Sequence, residues 1–391
     1  MFHLRWVAFV AFLVMAASGQ SAASSYEDCL NGSAFQDPEK QVAVCDEAFR
    51  AASSAKQKGI LQFKRGEALY WMNQFGQALD DVNAALATDS QLIPAYIRRA
   101  WIYIMSGEFE QASRDVEEVL IREPRNAEAL FALSYIYMST EPNSARALEA
   151  LRQSLEIKPD FHLARLNLAY RDYHLGDIDG MLREFDTILA HDDAELDKVS
   201  FQFDRALREP YPFSGYVRYE RARFLMYANR NDEALAGFNW LIAHYPKTAS
   251  AFVLRGQILR HNHNEVGALR DYSRAIELDP ANADARKGKA WTLFSLERLD
   301  EAMVETDWLT SGFSPVRGHG YRLRAYIDKK RGNADQALLD YEEAFRYDRE
   351  VLRETQARMI ELGYLSSQSG GNYTEEFRSG LRACIADPEC S

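Results

Sequence analysis

Residues 255–280 read RGQILRHNHNEVGALRDYSRAIELDP, and the spacing of their small residues decides the fold. Gly256 and Ala268 are followed by Tyr272, Ala275 and Pro280. Working outward, the glycine becomes one rung of a ladder: Gly66, Ala100, Ser134, Ala169, Ala222, Gly256, Ala290 and Ala325, separated by 34, 34, 35, 53, 34, 34 and 35 residues. Ala268 belongs to a second ladder of Ala78, Ala112, Ala147, Met181, Ala234, Ala268, Ala302 and Ala337, which runs in step with the first. Pro124, Pro159, Pro246 and Pro280 follow the second ladder in four of the eight units, where proline stops a helix. Self-similarity at this period marks a stack of helical hairpins.

The physical reason is close approach. Two antiparallel helices touch only where both side chains are small, and each hairpin leaves an apolar face that its neighbour must cover. The stretches from Ala100 through Gly107, Phe109 and Ala112 to Pro124, and from Arg255 to Pro280, resemble the tetratricopeptide repeat family. The resemblance implies an all-α fold: a right-handed α-solenoid of tetratricopeptide-like helix hairpins with a small helical C-terminal appendage. Its register places repeats at 59–92, 93–126, 127–161 and 162–195, then at 215–248, 249–282, 283–316 and 318–351. Met181 replaces a small residue in the fourth unit, and Thr306 the usual aromatic in the seventh.

A degenerate capping repeat is expected over 24–58. With Cys29 at the first ladder position, Cys45 falls on the facing helix, so a disulfide would staple the terminal repeat. Cys384 and Cys390 are expected to close a small loop at the other end. Neither pair has the Cys-x-x-Cys spacing or histidine companion of a reactive thiol.

Disulfides presuppose an oxidising compartment, and the N-terminus supplies the route. Arg5 precedes an apolar run from Trp6 to Ala17 and small residues through Ser25, the pattern of a signal peptide cleaved after Ala23, giving domain 1–23. The run is too short to span a bilayer, so a periplasmic or secreted protein without stable membrane insertion is expected. A net charge of −12 argues against nucleic acid, whose affinity rests on clustered Lys and Arg.

No phosphate-cradling glycine loop, nucleophile elbow or paired-histidine metal motif occurs, so no catalytic residue, metal or cofactor is assigned and the chain is read as non-enzymatic. His261 and His263, two apart, would lie on different faces of a helix and do not form a ligand pair. The abnormal interval of 53 places an insertion at 196–214: an extra helix over Leu196–Leu207, then Glu209–Phe213, whose prolines break it.

The resemblance puts the first helix of each hairpin on the concave face. The groove residues it selects are Phe63, Tyr70, Trp101, Phe131, Tyr135, Tyr170, Tyr173 and Tyr219. Trp291, Phe294 and Tyr326 continue the aromatic series, with Arg223, Arg260, Arg322 and Lys329 adding positive charge. Aromatics with a polar tip suit an extended ligand, so the partner is expected to be a protein or peptide of the cell envelope, or peptidoglycan or another glycan. After the last repeat, 352–391 is read as a capping helix and tail. There Gln356, Leu362–Leu365, Gly371, Tyr373, Arg378 and Leu381 resemble the peptidoglycan-binding domain of exported bacterial proteins. The functional expectation is an interaction scaffold, or an accessory subunit of an envelope polysaccharide or peptidoglycan machine.

Overall fold

The computed structural model describes residues 25–141, 145–199, 211–312, 314, 316–366, 372–387 and 390. The expected signal peptide and most of the insertion lie outside the described residues. Among those described, every regular element is a helix, and none is long and apolar enough to cross a membrane. The chain divides into two compact units, Met1–Phe203 and Asp204–Ser391.

The first unit holds α1 (25–31), α2 (Pro38–Ala51), α3 (Ala55–Trp71), α4 (Phe75–Thr88), α5 (Ile93–Ser106), α6 (Phe109–Arg122), α7 (Ala127–Thr140), α8 (Ala145–Ile157), α9 (His162–His174), α10 (Ile178–Leu189) and the single turn α11 (Asp193–Leu196). In the second follow α12 (Phe213–Tyr227), α13 (Asn231–His244), α14 (Ala249–His261), α15 (Glu265–Leu278), α16 (Ala283–Ser295), α17 (Leu299–Thr310), α18 (Arg317–Lys330), α19 (Ala334–Tyr347), α20 (Arg349–Glu361) and α21 (Glu375–Ala386). Each helix packs on the next within its hairpin, from α3 on α4 to α18 on α19, and each hairpin packs on its successor within the same unit.

Local chemistry sets the ends. Helices α6, α8, α13 and α15 stop at Arg122, Ile157, His244 and Leu278, two residues before Pro124, Pro159, Pro246 and Pro280. Asn126 and Asn282 cap α7 and α16 by accepting from the amides of Ala129 and Ala285, at 2.9 Å each. The turn inside a hairpin passes through the left-handed region, at Gly107, Gly176 and Gly332, but also at Asn73, Asn229, His263 and Glu297. His261 therefore ends α14 while His263, at φ 56°, sits in the turn, so the two are not on one helix as expected.

All sixteen ladder residues are buried. A Cβ built on Gly66 would lie 3.1 Å from a Val82 methyl and 3.2 Å from the Ala78 carbonyl oxygen, which shows how near the helices come at the crossing. A polar lock accompanies it. Arg65, Arg99, Arg255 and Arg324, each one residue before the first ladder, form two parallel hydrogen bonds of 2.6–2.8 Å to Asp81, Asp115, Asp271 and Asp340, each three residues after the second. These bonds raise the pKa of Arg65, Arg99 and Arg324. The four aspartates are at most 5% exposed. The remaining guanidinium nitrogen reaches the preceding hairpin, at Asn83 from Arg99 and at Asn239 from Arg255, 2.7 Å in both cases. One arginine thus joins three helices.

Both ends carry a disulfide. Cys29 and Cys45 are bonded, with Cα atoms 4.9 Å apart, and are fully buried beside Ala48 and Leu61. Cys384 is bonded to Cys390, with Cα atoms 5.3 Å apart.

Candidate functional site

The first helices lie side by side, α3 against α5 and α5 against α7 in the first unit, α12 against α14, α16 and α18 in sequence in the second. Their shared face is where the expected groove residues fall, and the structure sorts these into three groups.

The first group is interior. Phe63, Tyr70, Phe131 and Tyr219 are 5–7% exposed. Phe63 and Tyr70 pack with Val82 and Ile102, Phe131 meets Phe161 with ring centres 5.0 Å apart, and Tyr219 stacks on Tyr211 at 5.5 Å. Burial raises the Tyr219 hydroxyl's pKa despite its bond to Ser250. No ring face is left for a ligand, and these four are not carried forward as contacts.

A second group is engaged elsewhere in the fold. Lys329 donates to the carbonyls of Cys384, at 2.9 Å, and Cys390, so it caps the tail instead of lining a groove. Burial lowers its pKa, with Asp387 opposing. Arg322 pairs with Glu354, and half-buried Arg223 with buried Glu220. The tail's own motif residues are used in the same way: Leu365 and Leu381 are buried against α18 and α19 residues, Gln356 is buried, and Glu342 accepts from Tyr373 at 2.9 Å and Arg378 at 2.7 Å. Burial would raise the Glu342 pKa, but these two donors hold it below the usual range. Gly371 lies outside the described residues.

The third group faces outward. Trp101 on α5 is half-buried, with Phe131 5.4 Å behind it and the exposed Tyr135 of α7 at 5.7 Å. Tyr170 and Tyr173 on α9 are half-buried. In the second unit, Trp291, Phe294 and Tyr326 form a half-buried trio with ring centres 5.7–6.2 Å apart. Arg260 is exposed at the end of α14.

Arg260 and Trp291 also line a cavity of about 520 Å³, within the range of small-ligand sites. Sequence reasoning did not assign its other polar walls to a site: Tyr227 at the end of α12, Asn229 in the turn after it, Asn231 on α13, Gln257 and His261 on α14, Tyr272 on α15, and Asp284 and Lys287 on α16, with Gly288 beside them. They are scattered over five helices and one turn; the repeat register had assigned only Arg260 and Trp291 to the groove, and had read Tyr272 as part of the repeat pattern.

Comparison with known proteins agrees with this architecture. The sequence pattern of the tetratricopeptide repeat family matches residues 97–162, 219–272 and 266–306. A DnaJ homolog subfamily C member 7 homolog of Dictyostelium discoideum is 24% identical over 213 residues, 54% of this chain and 38% of that protein. Its Schizosaccharomyces pombe counterpart is 24% identical over 239 residues, 59% of this chain and 40% of its own. The chain therefore spans less than half the length of these curated relatives. Among solved structures, a monomeric mutant of IFIT1 with Gppp-AAAA is similar over 92% of this chain and 87% of its own, at 15% identity and a TM-score of 0.50, a likeness of fold alone. A tetratricopeptide repeat protein of Parabacteroides merdae covers 69% of this chain and 99% of its own, at 21% identity and a TM-score of 0.45.

Proposed function

We infer, from the premise that this chain belongs to the tetratricopeptide repeat family, that it is an exported scaffold holding a protein segment along the first-helix face of its hairpins. The observation that carries this reading is the Trp101–Tyr135 pair, which spans two neighbouring first helices and keeps its outer edge open. Large rings with a polar edge are favourable anchors for a partner chain, because they bury much apolar area while keeping a hydrogen-bonding group available. The fold offers extended surface, and the described residues do not bring together a nucleophile with its base, so a binding role fits better than catalysis.

Export is supported by the N-terminal pattern and by two closed disulfides, which persist in oxidising compartments. A photo-crosslinking residue at Tyr135 should capture one partner polypeptide from native cell-envelope fractions, and Trp101→Ala should abolish that capture while the circular dichroism stays helical. Capture that survives Trp101→Ala, or none at all, would sink the reading.

The tail supports a second reading, an accessory subunit of a cell-envelope polysaccharide or peptidoglycan machine. Its motif residues resemble a glycan-binding pattern, although Tyr373 and Arg378 are spent on Glu342. A pull-down on insoluble cell wall, with and without residues after 365, separates the two.

A further inference from the structure

The cavity in the second unit has a composition that selects its ligand. Its polar lining is balanced between donors and acceptors: the carboxamides of Asn229, Asn231 and Gln257 make no side-chain hydrogen bond among the described residues. Each therefore offers both an N–H and a C=O. Lys287 and Asp284 neutralise each other across 2.9 Å, which leaves Arg260 as a lining cation with no carboxylate partner among the described residues. With Asp284 cancelling Lys287, only the exposed Arg260 would draw an anion, while the three carboxamides present acceptors that an anion cannot use. An apolar ligand would leave the amides unpaired.

The fold also delivers a hydroxyl to this place. Tyr272 springs from the interior of a second helix, α15, and reaches a cavity whose other walls are first helices, the α12–α13 turn and the first residue of α13, because Gly256 and Gly288 flank its ring. A Cβ at Gly288 would stand 2.4 Å from two ring carbons, so any other residue there would push the ring aside. The Tyr272 hydroxyl is buried and makes no hydrogen bond of acceptable geometry. Burial raises its pKa, against the pull of the nearby Arg260 guanidinium, so it stays protonated and able to donate as well as accept. The Tyr272 ring is fully buried and only its hydroxyl is offered, beside the guanidinium of the exposed Arg260, which pairs with no carboxylate among the described residues; a ligand bonding the hydroxyl would displace that guanidinium.

Groups that both donate and accept, beside the half-buried indole of Trp291, match a ligand whose hydroxyls do the same and whose ring carries an apolar face. We propose that this cavity is a saccharide subsite, taking a neutral sugar ring whose hydroxyls bond Asn229, Asn231, Gln257 and Tyr272 and whose apolar face rests on Trp291. The proposal goes beyond the scaffold reading, which is tested at Trp101 and Tyr135 in the other unit, so either can fail alone.

The test is calorimetric titration of the full chain with trimers of glucose, galactose, mannose and N-acetylglucosamine, and with tri-aspartate as the anionic control. At least one sugar trimer is expected to bind saturably and to change the tryptophan fluorescence. Tyr272→Phe, which keeps the ring, and Gln257→Ala should each weaken that binding by about tenfold with unchanged helicity, the loss expected when a ligand hydroxyl loses its partner. Three results would each overturn the proposal: no binding by any sugar trimer, sugar binding indifferent to both substitutions, or tri-aspartate binding more tightly than every sugar.

Discussion

Hairpins α14–α15 and α9–α10 close the same kind of crossing with opposite chemistry. In the first, Gly256 and Ala268 meet and Arg255 forks onto Asp271, whose side chain is 3% exposed. The second sets Ala169 against the large, fully buried Met181, and Leu168 occupies the place of the arginine. Its nearest substitute, Arg165 to Glu184 at 2.7 Å, comes from a turn earlier and leaves the carboxylate 19% exposed. Every forked hairpin has two small residues at the crossing, while Ser134 and Ala147 in α7–α8 are small without a fork. Close approach is thus a condition for the lock, and packing alone can hold a hairpin that lacks it.

The strongest way to break this contrast is Asp271→Ala. It leaves a guanidinium without its partner at a largely buried site, and should cost about 3 kcal/mol in urea unfolding, the low end for a broken buried pair because Arg255 retains some solvent contact. Replacing both partners, Arg255→Met with Asp271→Leu, should recover most of that loss. If the single change costs under about 0.5 kcal/mol, the fork is a surface pair and the contrast collapses.

Next comes an exchange of crossing residues. Met181→Ala should open a cavity and cost about 2–3 kcal/mol, whereas Ala268→Met should overpack the narrow crossing by about 1–2 kcal/mol. Equal tolerance of methionine at both places, seen in thermal melts, would mean that the two crossings do not differ in width.

The smallest effect is in pH. His162 begins α9, in the hairpin without a fork, and its pKa is lowered by burial and then by His191, with Lys158 and Arg165 acting the same way and Asp160 opposing. The folded state therefore binds its proton less readily than the unfolded chain, whose histidine titrates near about 6.5. Stability should fall as pH drops below that value, toward the lower folded pKa, and His162→Gln should flatten the decline. A parallel decline in the parent and the variant would assign the loss to other groups.

The crossings were legible in sequence because they depend on residue size at a fixed period, which needs no knowledge of neighbours. The forks were equally open to reading: Arg65, Arg99, Arg255 and Arg324 keep one offset from the first ladder and their aspartates keep another from the second. Groove exposure was not. Register fixes which way Phe131 points, but Trp101 and Phe161 decide whether it is covered. Lys329 is held by carbonyls 55 and 61 residues away, a partnership that no local pattern encodes. The saccharide cavity escaped for the same reason, since its walls converge only after five helices have packed.

The left-handed joints within the hairpins set a different kind of limit. Glycine serves at Gly107, Gly176 and Gly332, yet Glu297 and His263 hold the same conformation with a side chain attached, at φ 58° and 56°. Such a residue costs about 1 kcal/mol relative to glycine there, so these two elbows are under tension that the glycine elbows lack and that asparagine, at Asn73 and Asn229, tolerates better. His263→Gly is accordingly a change that can make the chain sturdier without touching a packed side chain, whereas Glu297→Gly would relax its elbow at the expense of the carboxylate that accepts from Lys330 at 2.8 Å.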